Sequence, residues 1–215
     1  MTLTVAIHLN DFIILTGDQR LTIEYESAKD MPTKMILDDY QKIKYWKHGA
    51  IVVSGSVLLM HYFYELLSSQ AASQQDEWQF LYIAQIARAK FLQIYKNGEE
   101  ATGTAFFSLF NNNKVELIHL SINEECIKYE TVQPMFAHFS LFAGTHHDPI
   151  YQLFVDALRQ QQQFLTMEEF YNYHADLIKA FYKRQASFDE SITASSDIFI
   201  QNVKTGIGFM QTIEN

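Results

Sequence analysis

The sequence predicts a four-layer α/β/β/α sandwich, two stacked and mainly antiparallel sheets between pairs of helices. Three observations carry this. The pattern of apolar residues runs strands, two helices, strands, two helices, strands. The segment 57–67 is apolar on almost every side, as expected of a helix buried between other elements. Prolines number only 3 and glycines 8, leaving little material for a flexible linker. At 215 residues, a single domain spanning 1–215 is expected.

The elements follow in order. Leu3, Val5, Ile7 and Leu9 alternate with Thr2, Thr4, Ala6 and His8, the period of a strand. Asn10-Asp11 is turn chemistry, and 12–15 is an apolar run of buried-strand length. A more polar stretch follows; residues from about Glu24 to Gln41 read as an enlarged loop. The next hairpin comprises 42–46, the turn Lys47-His48-Gly49, and 50–53, ending in Ser54-Gly55-Ser56. A second helix is marked by Phe80, Ile83, Ala87, Phe91 and Ile94, spaced three, four, four and three. Strands return at 104–110 and 114–120 around Asn111-Asn112-Asn113, with weaker signals at 127–132 and 139–143. Asp148-Pro149 opens a third helix as N-cap and first-turn proline. Gln160 to Gln163 continues a helical pattern. Thr166 and Glu169 have capping-box spacing for a fourth helix through Phe170, His174, Leu177 and Phe181. A hairpin of 196–203 and 207–212 closes the chain around Lys204-Thr205-Gly206.

Composition excludes several classes. Hydrophobic residues at 48% and charged residues at 19% are wrong for a disordered chain. A net charge of −9 argues against nucleic acid, whose phosphates demand clustered lysine and arginine. No stretch is long and apolar enough to predict a membrane helix, and the opening residues lack a signal peptide's basic lead and apolar block, so a cytoplasmic location is expected. The single cysteine, Cys126, leaves no internal disulfide and reads as a passive thiol. His146-His147-Asp148 has no third ligand at a supporting spacing, so no metal is expected, nor any cofactor.

Thr2 carries the chemical interest. Aminopeptidases remove an initiator methionine before a small residue, which would leave Thr2 with a hydroxyl nucleophile and its own base, the α-amino group of pKa about 7.7–8.0. Asp18 follows sixteen residues later in the string Asp18-Gln19-Arg20-Leu21-Thr22. Lys42-Ile43 opens the hairpin that ends at Ser54-Gly55-Ser56. This spaced set, with the order of elements, resembles the proteasome β-subunit family and its bacterial relative, the ring peptidase that works with a AAA+ unfoldase. Both are threonine-type N-terminal nucleophile hydrolases.

The resemblance implies a peptidase acting on peptide or protein substrates through an acyl-enzyme on Thr2. It implies Lys42 beside the hydroxyl, Asp18 fixing Lys42, and the Gly55 N–H at the oxyanion. Lys34, sixteen residues after Asp18, satisfies the family interval and is the rival lysine; Lys42 is preferred because its hairpin matches. The usual serine that supports the amine is missing; Thr145 is the nearest hydroxyl in that slot, and Asp189, with Ser191, is the candidate for the last acidic position. Arg20, Thr22, Val53 and Val57 fall at substrate-binding positions, the two valines implying an apolar side chain at the cleaved residue. The family assembles into rings, so a homo-oligomer, fed by an unfoldase, is expected. Two other functions remain open: a non-catalytic assembly or binding subunit, and a hydrolase of a non-peptide amide.

Overall fold

The computed structural model describes residues 3–25, 33–69, 76–95, 101–111, 113–141 and 149–214. The first hairpin joins β1 (Leu3–His8) to β2 (Phe12–Asp18) in antiparallel register. Every residue of both strands is buried. The alternation in β1 therefore separates two interiors rather than an interior from solvent. β3 (Leu21–Tyr25) and β4 (Thr33–Leu37) then form a two-stranded sheet of their own. The expected enlarged loop is replaced here by paired strands, because Leu21-Thr22-Ile23 and Met35-Ile36-Leu37 are β-prone runs that pair residue for residue.

β5 (Ile43–Trp46) and β6 (Gly49–Gly55) follow, then α1 (Val57–Ser69) and α2 (Glu77–Ile94). β7 (Gly103–Asn111) and β8 (Lys114–Ile122) turn through Asn113 at φ 64°, a left-handed conformation that asparagine tolerates. β9 (Ile127–Thr131) and β10 (Phe136–Leu141) precede α3 (Pro149–Ala157). The glutamine tract forms only a 3-10 turn, Gln161–Gln163, closed by the Gln163 side chain accepting from the Gln160 amide at 2.8 Å. α4 (Met167–Ala186) starts where Thr166 Oγ1 accepts from the Glu169 amide at 3.1 Å; the Glu169 carboxylate reaches back to the Leu165 amide instead of that of Thr166. β11 (Ser196–Asn202) and β12 (Gly208–Ile213) complete the chain. The expected N-cap Asp148 lies outside the described residues.

The strands form two five-stranded antiparallel sheets, ordered β10-β1-β2-β11-β12 and β5-β6-β7-β8-β9. Side chains divide into three apolar clusters. Val5, Ile7 and Ile14 pack with Phe154 of α3 and with Phe170, Phe181 and Tyr182 of α4. Phe107, Ile118 and Leu120 pack with Phe63 of α1 and Phe80 and Phe91 of α2. Between them, Ala6, Ile13 and Leu15 of one sheet meet Ile43, Val52, Phe106 and Leu117 of the other. Consecutive residues of β2 thus enter different clusters, which is why 12–15 is apolar without a break. α1 departs from expectation: only the stripe Leu59, Met60, Phe63 and Leu67 is buried, and Val57 is 42% exposed. Leu58, Tyr62, Tyr64 and Leu66 are half-buried against the same cluster.

Acid should loosen this packing. His8 is buried with its ring bonded to the Val132 carbonyl at 2.7 Å, and His174 is buried with its ring on the Phe170 carbonyl at 2.9 Å. Desolvation holds both below the ordinary histidine range. A depressed histidine pKa means that the unfolded chain binds more protons as pH falls through about 6.5, so stability is lost on that side. The urea midpoint is expected to fall between about pH 7.5 and pH 5.5, with a shallower fall in His174→Phe.

Candidate active site

β2 ends inside the protein, at the fully buried Asp18. Its carboxylate is surrounded by donors. Oδ1 accepts the Leu3 amide at 2.8 Å and the Lys42 ammonium at 2.7 Å, while Oδ2 accepts the Arg20 amide at 3.0 Å. Lys42, only 3% exposed, reaches it from the approach to β5. Gly17 makes room: a Cβ there would lie 3.1 Å from Val52 Cγ2 and 3.4 Å from Lys42 Cβ. Burial pulls the Lys42 ammonium below the usual lysine range, and the Asp18 charge opposes that pull. A lysine so placed is held as a close, weakly hydrated donor that gives up a proton more readily than one in water.

Leu3 is clamped from its other side as well. Tyr182 of α4 donates to the Leu3 carbonyl at 3.3 Å and shares a 2.6 Å hydrogen bond with Thr16 Oγ1. Burial pushes this phenol well above its ordinary range, so it stays neutral. The peptide groups on both sides of Leu3 are therefore fixed by buried side chains. Thr2, one residue earlier, lies outside the described residues.

Gly55 closes β6 with φ +100° opposite Gly103, where a Cβ would come within 2.6 Å of Gly103 Cα and of the Thr102 carbonyl. Only glycine fits that conformation and that approach. Beside it, the Ser54 and Ser140 hydroxyls meet at 2.5 Å, joining β6 of one sheet to β10 of the other. Asp197 accepts from Gln19 Nε2 at 2.9 Å and from Thr212 Oγ1 at 2.8 Å.

The other residues singled out in the sequence have separate placements. Arg20 makes a bidentate pair with Asp38 at 2.5 and 2.8 Å and donates to the Glu190 carbonyl, so its guanidinium cross-links loops around the site. Asp189 accepts from the Ser191 amide at 2.8 Å and the Ser191 hydroxyl at 2.5 Å, forming a local turn of its own. Thr22 lies half-buried in β3, opposite Ile36. Lys34 lies in β4 opposite Glu24, whereas the ammonium on Asp18 is that of Lys42. Val53 and Val57 line a pocket that Lys42 and Gly55 also border. Thr145, His146 and His147 lie outside the described residues. Among the described residues no three His, Cys, Asp or Glu side chains are grouped to hold a metal ion, and no helix is long and apolar enough to cross a membrane.

Sequence reasoning missed Tyr182, which sits in an apolar helical stripe like any core residue. It also missed Ser140, in a strand with a weak signal. Neither lies near Thr2 or Lys42 in sequence, and nothing local distinguishes them.

No protein-family model matches the chain, and no curated protein does either. Solved structures do match, defining the fold as that of proteasome-like ancestral β-subunits. The Anbu (Gly-1) mutant from Hyphomicrobium sp. strain MC1 superposes with TM-score 0.64 at 14% identity, over 100% of this chain and 87% of that one. Anbu (ancestral beta-subunit) from Yersinia bercovieri gives 0.61 at 10%, over 99% and 87%. The Anbu complex from Pseudomonas aeruginosa, described as a helical assembly, gives 0.62 at 10%, over 99% and 88%. The resemblance read from the sequence named the proteasome β-subunit family and the bacterial ring peptidase; it is corrected by these neighbours, which are Anbu proteins, proteasome-like but a distinct family. Of the residues that carried the resemblance, Asp18, Lys42 and Gly55 lie at or beside strand ends, places set by the fold rather than by one family.

Asp18 and Lys42 are expected to behave as one unit. Asp18→Ala leaves a buried ammonium unpaired and should cost about 3–5 kcal/mol of stability. Lys42→Met should also destabilise, while the double variant should lose at least about 1 kcal/mol less than the sum of the two. Urea unfolding of the four proteins measures that coupling.

Proposed function

We propose that this chain is a threonine-type N-terminal nucleophile peptidase that hydrolyses peptide bonds through an acyl-enzyme on Thr2 after removal of Met1. The observation that supports it is the Asp18 carboxylate, which takes the Leu3 amide and the Lys42 ammonium on one oxygen. Residue 2 is covalently next to that anchored amide, so the anchor ties the start of the chain to the lysine.

In this reading the free α-amine of Thr2 takes the proton of its own hydroxyl as Oγ1 bonds to the substrate carbonyl carbon. The carbonyl π-pair moves onto oxygen, where the Gly55 N–H would receive it. The Lys42 charge favours the alkoxide-like oxygen of Thr2. Collapse breaks the C–N bond, the leaving amine takes the proton from the Thr2 ammonium, and water then hydrolyses the ester with the amine again as base. Thr145 and the Asp189–Ser191 turn are the proposed supports of that amine, and Arg20 and Thr22 frame the substrate channel.

The same reading takes residues 1–215 as one domain folded as a four-layer α/β/β/α sandwich. The three apolar clusters favour it, one between the sheets and one under each helix pair. Self-association belongs to it too: the Pseudomonas aeruginosa relative is described as a helical assembly.

Intact mass before and after incubation with peptide epoxyketones, which need both a hydroxyl and an amine on one residue, tests the nucleophile. Loss of Met1 and a single adduct, absent in Thr2→Ala, is the expected result. Retained Met1, or its loss with no adduct from any probe, would overturn the peptidase reading in favour of a non-catalytic assembly subunit.

A further inference from the structure

The pocket beside Gly55 is walled by apolar side chains, Leu21, Ile51, Val53, Val57 and Met60. Three basic residues, Lys42, Lys44 and His61, also line it, and among the described residues no aspartate or glutamate does. That is a local inversion in a chain of net charge −9. The Lys42 charge is already matched by Asp18 at 2.7 Å. Lys44 is different: among the described residues no carboxylate pairs with it.

The Lys44 ammonium instead lies 5.7 Å from the centre of the Tyr40 ring and 5.6 Å from that of Tyr64. Two electron-rich faces hold it in place without neutralising it. The Tyr64 side chain and the Tyr40 backbone are each held by a hydrogen bond. The Tyr64 hydroxyl donates to the Tyr45 carbonyl at 3.0 Å, and the Tyr40 amide donates to the Gln19 carbonyl at 3.0 Å, next to Asp18. The half-buried cation is therefore oriented in a pocket that opens beside the buried pair, where an incoming carboxylate supplies a counter-charge that no described residue gives it.

We propose that this pocket selects an acidic side chain of a bound peptide, with Lys44 as the specificity-determining residue. The proposal rests on the peptidase reading for the identity of the ligand, and it replaces the wholly apolar pocket that Val53 and Val57 alone suggested. The apolar walls take the methylenes of a glutamate side chain, and the ammonium takes its carboxylate. A basic side chain meets like charge and is rejected.

Binding to Thr2→Ala protein tests this without any chemistry. Fluorescein-labelled Leu-Leu-Glu, Leu-Leu-Leu and Leu-Leu-Arg amides are titrated by fluorescence polarisation. The glutamate peptide should bind about tenfold tighter than the arginine peptide, with the margin shrinking as salt is added. Lys44→Met should reduce the glutamate peptide to the level of the leucine peptide, and Lys44→Glu should favour arginine. Equal or tighter binding of the leucine or arginine peptide, a preference untouched by Lys44→Met, or no binding of any peptide would overturn the proposal. The same peptides given to protein with Thr2 intact separate the two claims. Acidic preference in binding without turnover sinks the peptidase reading and keeps the pocket; turnover without acidic preference does the reverse.

Discussion

A carboxylate with no exposure to water has to find its donors inside the protein, and Asp18 finds three: a lysine and two backbone amides. Each comes from a different place in the chain. Leu3 opens β1, Arg20 follows the end of β2, and Lys42 precedes β5 in the second sheet. The Lys42 bond crosses between the sheets, so losing it would leave a buried charge unmatched, a far larger cost than losing an exposed pair. The start of the chain, the turn carrying Arg20 and the edge of the second sheet are held by this one group.

The rest of the architecture makes that arrangement available. Two sheets with their facing sides in contact bury the inner residues of β1 and β2, and helices bury the outer ones. Strands covered on both faces are rigid positioning elements, and their ends are where polar groups can meet without breaking the apolar layers. The site collects such ends: the start of β1, the finish of β2, the approach to β5 and the close of β6. A side chain at Gly55 would collide with Gly103 and Thr102 of the neighbouring segment, and one at Gly17 would crowd Val52 and Lys42. Ser54 and Ser140 pin the sheets together beside them.

Much of this was legible in the sequence, and the residues explain why. Strand and helix positions followed from periodicity. The Asp18–Lys42 pairing was legible through the family resemblance, which the hairpin from Lys42 to Gly55 matches. The β3–β4 pair was not, since its arms are short and the residues between them are polar. The pairing of Arg20 with Asp38, eighteen residues on in sequence, was not legible either, since that contact has no sequence signature. The apolar outer face of α1 misled for a simple reason: composition cannot tell burial between layers from a surface that stays apolar. Tyr182 and Tyr64 act through hydroxyls on residues that otherwise pack as core, so periodicity recorded their rings and not their bonds.

Amide hydrogen exchange at Leu3, read by NMR on labelled protein, tests the anchoring claim most directly. The account predicts a Leu3 amide strongly protected in the unmodified protein, and exchanging orders of magnitude faster than its β1 neighbours once Asp18 is replaced by alanine. A Leu3 amide that exchanges freely with Asp18 in place would contradict it, because the chain start would then not be held by the carboxylate that binds Lys42.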